Sequence, residues 1–261
     1  MAPQSKRNKS HPPPATSSSS AGPHSPPQWP PLSPLLPAAD LAVITLHPDQ
    51  VLTIPHLWTS TLCRTYVNFL ATLPLTTTPG KPRRGDAVRV NDRFQVEDTG
   101  FAERLWSCTA LQELCSRPVI EGRGELDAAA TRELWGGEVL GLNSNIRIYR
   151  YTRGQFFDQH YDESNNVAFS SPTSPSPVPA KTTWTLLLYL TAHSTGCEGG
   201  QTVFHPAPVT KRGTAPPPVV ADLQVGMALL HRHGKDCLLH EGKEVTAGEK
   251  WVIRSDLCVR R

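Results

Sequence analysis

Long apolar runs are missing from this 261-residue chain. The longest, WTLLLYL from Trp184 to Leu190, is far short of the ~20 residues a helix needs to cross a bilayer. The opening residues are polar and basic and run straight into proline and serine, so no secretory leader is expected there. Cysteine is sparse and scattered: the six form no Cys-x-x-Cys pair and no dense disulfide framework, as expected of free thiols in a reducing compartment. A cytoplasmic or nuclear protein is expected, with KRNK (residues 6–9) a minimal import signal. An excess of one charge is also absent. Against 26 basic stand 23 acidic residues; with Lys6, Arg7, Lys9 and Asp40 set aside, 23 face 22. A nearly neutral folded part argues against nucleic acid as its main partner. There is no internal repeat.

What is abundant is proline, 26 residues in all. Residues 1–40 are so rich in proline and serine that they are expected to form a disordered tail, in which PPQWPPLSP is a candidate ligand for an SH3- or WW-like partner. Residues 41–144 read as a support region. LAVITL and QVLTI are strand-like. LWTSTLCRTYVNFLATLP has helical spacing, with Thr59 or Ser60 as cap and Pro74 as stop. A strand follows over GDAVRVNDRFQVED, then helices over GFAERLWSCTALQEL and ELDAAATRELW. From Asn145 to the C-terminus the pattern becomes short strands punctuated by glycine, proline and serine, the mark of a sandwich or barrel. SSPTSPSPVPAKT and PAPVTKRGTAPPP are too proline-rich for core strands and are expected to be surface loops.

Within that β-rich region stands GQFFDQHYDES. His160 and Asp162 are two apart, so on a strand they project from one face. Two histidines and a carboxylate converging on one centre form the facial set of non-haem Fe(II) oxygenases, which leaves the opposite face open. From residue chemistry alone the second histidine is any of His193, His205, His231, His233 and His240.

The ordered series YTRGQFFDQHYD, WTLLLYLT, CEGGQTVF, GMALL and HEGKEVTAGEKWVIRSDL resembles the Fe(II)- and 2-oxoglutarate-dependent dioxygenases, most closely their prolyl 4-hydroxylase-type branch. That family carries His-x-Asp, a distal histidine, and a basic residue about ten positions later. His240 and Lys250 have this spacing, so the resemblance implies His160, Asp162 and His240 as iron ligands. It implies Lys250 as the cation for the distal carboxylate of 2-oxoglutarate, a charge-assisted hydrogen bond. Tyr189 and Tyr151 match pocket tyrosines, Arg254 is a second candidate anchor on the Lys250 strand face, and Gly199–Gly200 match a tight turn. His231 and His233 are expected in the pocket wall. The resemblance further implies an α+β, mainly β architecture: a double-stranded β-helix with N-terminal helices outside its major sheet. The activity implied is hydroxylation of a substrate C–H with release of succinate and CO2, with dioxygen as co-reactant and ascorbate as reductant.

The chain departs from the family at Gln201 and in its two Pro-rich insertions, both of which bear on substrate. Asn91 and Arg93 are candidate substrate contacts, with an Asp92–Arg93 ion pair as the local alternative. A protein or peptide side chain such as proline is the substrate the branch implies. A small-molecule hydroxylase, or an inactive β-sandwich presenting the tail to partners, are the competing readings.

Overall fold

The structure, a computed structural model, describes residues 25–78, 87–171, 176–207 and 214–261. The first 24 residues of the expected tail and the middle of both Pro-rich insertions lie outside the described residues. The large antiparallel sheet runs, in spatial order, Ile44–His47, Val51–Ile54, Ala228–Arg232, Val178–Tyr189, Glu249–Arg260, Asn145–Thr152, Asp92–Glu97, Thr76–Thr77. Facing it is a smaller sheet ordered Val219–Ala221, Thr202–His205, Leu239–Gly242, Phe156–His160, Arg89–Val90. Together they make a double-stranded β-helix.

Strand alternation divides the core in two. Along Glu249–Arg260, Trp251, Ile253 and Leu257 face the helices, packing with Trp58, Trp135 and Trp184. The alternate Val252 faces the small sheet, where it joins Tyr149, Tyr151, Tyr189, Phe204 and Leu229. Among the described residues no helix is long and apolar enough to cross a membrane.

The helix Ser60–Leu70 is capped by the Thr59 hydroxyl, which accepts from the Leu62 amide at 3.2 Å. It stops before Pro74 because the Thr72 and Leu73 amides bond three residues back, tightening the turn. The single helix expected over 100–114 is two, Thr99–Ser107 and Leu111–Ser116. The cause is Thr109: its hydroxyl donates to the Leu105 carbonyl at 2.7 Å and accepts from the Leu111 amide at 3.3 Å, competing with the helical ladder.

Two expectations about proline are corrected. Val178, Pro179 and Ala180, read as surface loop, open a twelve-residue strand and pair with Phe169, Ala168 and Val167. Residues 25–40, read as part of the tail, are packed on the fold. Trp29 is buried, stacks on Phe101 with centroids 4.0 Å apart, and donates its indole N–H to Asp98 at 2.7 Å. The Pro30 and Pro34 carbonyls accept from Tyr66 and Thr59. The tryptophan of PPQWPPLSP is therefore engaged by its own chain.

Candidate metal centre

His160 closes the strand Phe156–His160 and pairs in register with His240 of Leu239–Gly242. Asp162 lies just beyond the strand, yet the alternation persists: Tyr161 between them is 62% exposed while Asp162 is buried. The Asp162 backbone is fixed by the loop after His233. Its carbonyl accepts from the Gly234 amide at 2.8 Å, and its amide donates to the Cys237 sulfur at 3.3 Å. His160, Asp162 and His240 each present a ligand atom within 4.8 Å of the others.

Both imidazoles are held by backbone carbonyls. His160 Nδ1 lies 2.7 Å from the Asp158 oxygen and His240 Nδ1 2.9 Å from the Leu238 oxygen. A carbonyl only accepts, so Nδ1 carries the proton and Nε2 the lone pair. The Nε2 atoms stand 3.8 Å and 3.9 Å from the Asp162 carboxylate. These are not ion pairs. Burial, with His240 adjacent, lowers His160 to about 4, and burial lowers His240, so both rings are neutral near pH 7. Burial alone would raise Asp162, but the Arg254 guanidinium beside it holds it well below the usual carboxylate range.

Arg254 spends its guanidinium on this carboxylate, with Nη2 2.9 Å from Oδ2 and Nη1 3.3 Å from Oδ1. Asp256, itself paired with Arg147, lies 3.5 Å on its other side. Thr185 donates its hydroxyl to Asp162 Oδ2 at 2.8 Å and lies 3.1 Å from His233 Nδ1. Lys250 is placed differently. It is 5% exposed, its Nζ donates to the Gly200 carbonyl at 2.6 Å and sits 5.4 Å and 5.3 Å from the Tyr151 and Tyr189 ring centroids. Among the described residues no carboxylate pairs with it, and burial lowers its ammonium to about 8. Gly199 and Gly200 both have positive φ, and a Cβ on Gly200 would meet the Lys250 side chain at 3.1 Å.

One cavity is lined by Tyr151, His160, Asp162, His240, Lys250 and Arg254. Tyr189 is set behind it, its hydroxyl 2.7 Å from that of Thr202. The remaining histidines divide. His193 pairs with Glu198 at the surface and His205 with Glu241; His231 reaches the cavity and His233 stands behind Thr185. Asp92 pairs with Arg150 rather than Arg93, while Arg93 bonds Gln95. The sequence reading missed Thr185. Its signal was the period of two, since Thr185 and Tyr189 are four apart on one strand and so share a face.

Two facing sheets bring two neutral imidazoles and a carboxylate together beside an open cavity, a group that could hold a metal ion. Residues 146–255 match the model of the "2OG-Fe(II) oxygenase superfamily". No curated protein matches the chain. Among solved structures, a viral collagen prolyl hydroxylase from Paramecium Bursaria Chlorella virus-1 is 16% identical, with 80% of this chain and 96% of that one covered, at a TM-score of 0.44. A Pseudomonas putida prolyl-4-hydroxylase is 15% identical (83% and 96% covered, TM-score 0.45). A Trichoplax adhaerens prolyl hydroxylase, solved with a hypoxia inducible factor peptide, is 18% identical (81% and 84%, 0.47). Likeness at this level carries no argument about substrate.

Proposed function

We propose that this protein is a 2-oxoglutarate-dependent hydroxylase in which His160, Asp162 and His240 hold Fe(II) and Lys250 receives the distal carboxylate of 2-oxoglutarate. The donor set fits the ion: two neutral nitrogens with free lone pairs and one ionised oxygen face one another with no protein donor hydrogen between the nitrogens and that oxygen. The observation that carries the reading is Lys250. Among the described residues the Lys250 ammonium meets one carbonyl and two ring faces but no carboxylate, and a buried ammonium is costly unless an anion joins it. Arg254, the other candidate anchor, already has its terminal nitrogens on Asp162.

When bound, Fe(II) and 2-oxoglutarate would let dioxygen act as the oxidant: one of its oxygen atoms would enter succinate as the oxo acid loses CO2, and the other would turn a substrate C–H into C–OH. The chain does the rest. Arg254 and Thr185 fix the Asp162 carboxylate, the carbonyls of Asp158 and Leu238 fix the rings, and Tyr151 and Tyr189 flank Lys250 with apolar surface that keeps its charge unscreened. For substrate, the motif series with lysine ten residues after the distal histidine supports the prolyl 4-hydroxylase-type branch, and so a peptide or protein proline.

The test is succinate release by the purified chain with Fe(II), 2-oxoglutarate and ascorbate, with a proline-containing peptide library, beside His160→Ala. A +16 Da peptide that requires His160 is the expected result. The same shift only in a metabolite extract would replace proline by a small molecule. Metal-dependent succinate unaffected by His160→Ala would overturn the ligand set.

A further inference from the structure

We propose that Arg89 and Arg93 form an anion subsite beside the metal centre that receives a carboxylate side chain of the substrate, so that the peptide hydroxylated carries an aspartate or glutamate close to its target residue. This rests on the reading of the cavity as the site of a peptide hydroxylase.

The two arginines reach one place from opposite sheets. Arg93 lies on Asp92–Glu97 of the large sheet, in register with Tyr149. Its neighbours Phe94 and Val96 face the helices, so alternation turns Arg93 toward the small sheet, as it does Tyr149. Arg89 lies on Arg89–Val90 at the edge of the small sheet, paired with Phe157. Its guanidinium carbon is 5.8 Å from the Tyr149 ring centroid and 5.1 Å from that of Phe157. Both of those rings line the cavity.

The carboxylates nearby are already engaged. Asp162 holds Arg254, and Asp256 lies against Arg147 and Arg254. Glu241, which also lines the cavity, is held by His205 and Lys243. Asp92 pairs with Arg150. Among the described residues no carboxylate is left for Arg89 or Arg93: Arg93 bonds the Gln95 side chain, and Arg89 stands over two rings. Tyr149 registers the surplus of positive charge. Burial alone would raise its phenol, yet the guanidiniums of Arg254, Arg147, Arg89 and Arg93 hold it below its ordinary value. Half-buried guanidiniums gathered in this way are stabilised by an anion, and their planar forks match a carboxylate.

This cation station is distinct from Lys250. Lys250 stands over Tyr151 and Tyr189, and Arg89 over Tyr149 and Phe157. The Tyr149 and Tyr151 rings, 6.4 Å apart, thus carry one cation each. With Lys250 assigned to the cosubstrate, Arg89 and Arg93 are free for the substrate. Their station is also close to the chemistry, because Phe157 stacks on His160 with centroids 3.5 Å apart. Two ring contacts are spanned by two or three residues of extended peptide, at about 3.4 Å each. The acidic residue therefore belongs within three positions of the target.

The test uses the full chain with Fe(II), 2-oxoglutarate and ascorbate on pooled proline peptides that carry Glu, Gln or Lys at each of the three positions on either side. Products are read as +16 Da, and their ratio in competition gives the ratio of kcat/KM. At one position Glu should exceed Gln by about tenfold, the size of a charge-assisted hydrogen bond, with Lys lowest and the gap narrowing in salt. The Glu-to-Gln ratio should fall toward one in Arg89→Gln and in Arg93→Gln. Equal rates for Glu and Gln peptides in the unaltered chain would overturn the subsite while keeping the hydroxylase. A ratio unchanged in both variants would overturn the role of these two arginines. No +16 Da peptide in any pool would overturn the peptide reading and this proposal with it. The comparison of Glu with Gln in the unaltered chain decides the matter even if a variant does not fold.

Discussion

Arg254 grips Asp162 through both terminal nitrogens, at 2.9 Å and 3.3 Å from the two carboxylate oxygens. Both side chains are buried. In the metal-free protein this fork is what neutralises an enclosed carboxylate, and Thr185 adds one neutral hydrogen bond.

Arg254→Met leaves that carboxylate without its cation. Removing one partner of a buried pair costs about 3–5 kcal/mol, so the metal-free variant is expected to melt well below the unaltered protein. A divalent cation replaces the lost charge. Thermal melts with and without Mn(II) should show a larger metal-induced gain in the variant; equal gains would mean that no cation binds beside Asp162.

Affinity for 2-oxoglutarate should fall with rising pH from about 8. Burial lowers Lys250 to that value, and the bound carboxylate favours the ammonium, raising its pKa in the complex. Between the free and bound values each pH unit therefore costs up to about tenfold in affinity. Calorimetry from pH 7 to 9.5 measures this. Lys250→Arg, whose guanidinium stays charged, should remove the slope, and a slope that survives the substitution would assign the titration elsewhere.

Trp29→Ala should destabilise the fold by about 3–5 kcal/mol, the range for emptying a large aromatic site. The indole also supports Asp98, which caps Thr99–Ser107 by accepting from the Phe101 amide at 2.8 Å. Urea denaturation followed by circular dichroism gives the difference. A change under 1 kcal/mol, on the same scale, would mean that this segment only rests on the surface.

Beside the cavity, Arg89 lies 5.1 Å from the Phe157 ring centroid, and Phe157 stacks on His160. Among the described residues neither Arg89 nor Arg93 has a carboxylate partner. A peptide with acidic residues flanking its target is expected to show a lower KM than its neutral analogue, with the advantage shrinking in salt. Arg89→Ala should raise that KM and leave kcat nearly unchanged. A matching loss for the neutral peptide would point to a positional rather than electrostatic role.

The parts of the site legible in the sequence were those set by short-range geometry. His-x-Asp is a strand-period statement, and the shared face of Lys250 and Arg254 follows from alternation along Glu249–Arg260. What Arg254 touches was not legible, because Asp162 is 92 residues away in the chain and no local pattern encodes that meeting. His231 was read as pocket wall, and it does line the cavity. Composition misled most where proline is dense. It describes how a segment behaves alone, whereas Trp29 and Ala180 are held by distant partners, Phe101 and Arg260.

The order of the large sheet bears on how this protein can be cut. The family-matched region supplies its middle, but Ile44–His47 and Val51–Ile54 cover one side and Asp92–Glu97 with Thr76–Thr77 the other. A fragment beginning at residue 145 would bare Ala228–Arg232 and Asn145–Thr152 together, two unguarded hydrogen-bonding margins rich in β-branched and aliphatic residues. Such margins template pairing between molecules, so that fragment should precipitate as sheet-joined aggregates although it retains all the proposed iron and cosubstrate residues.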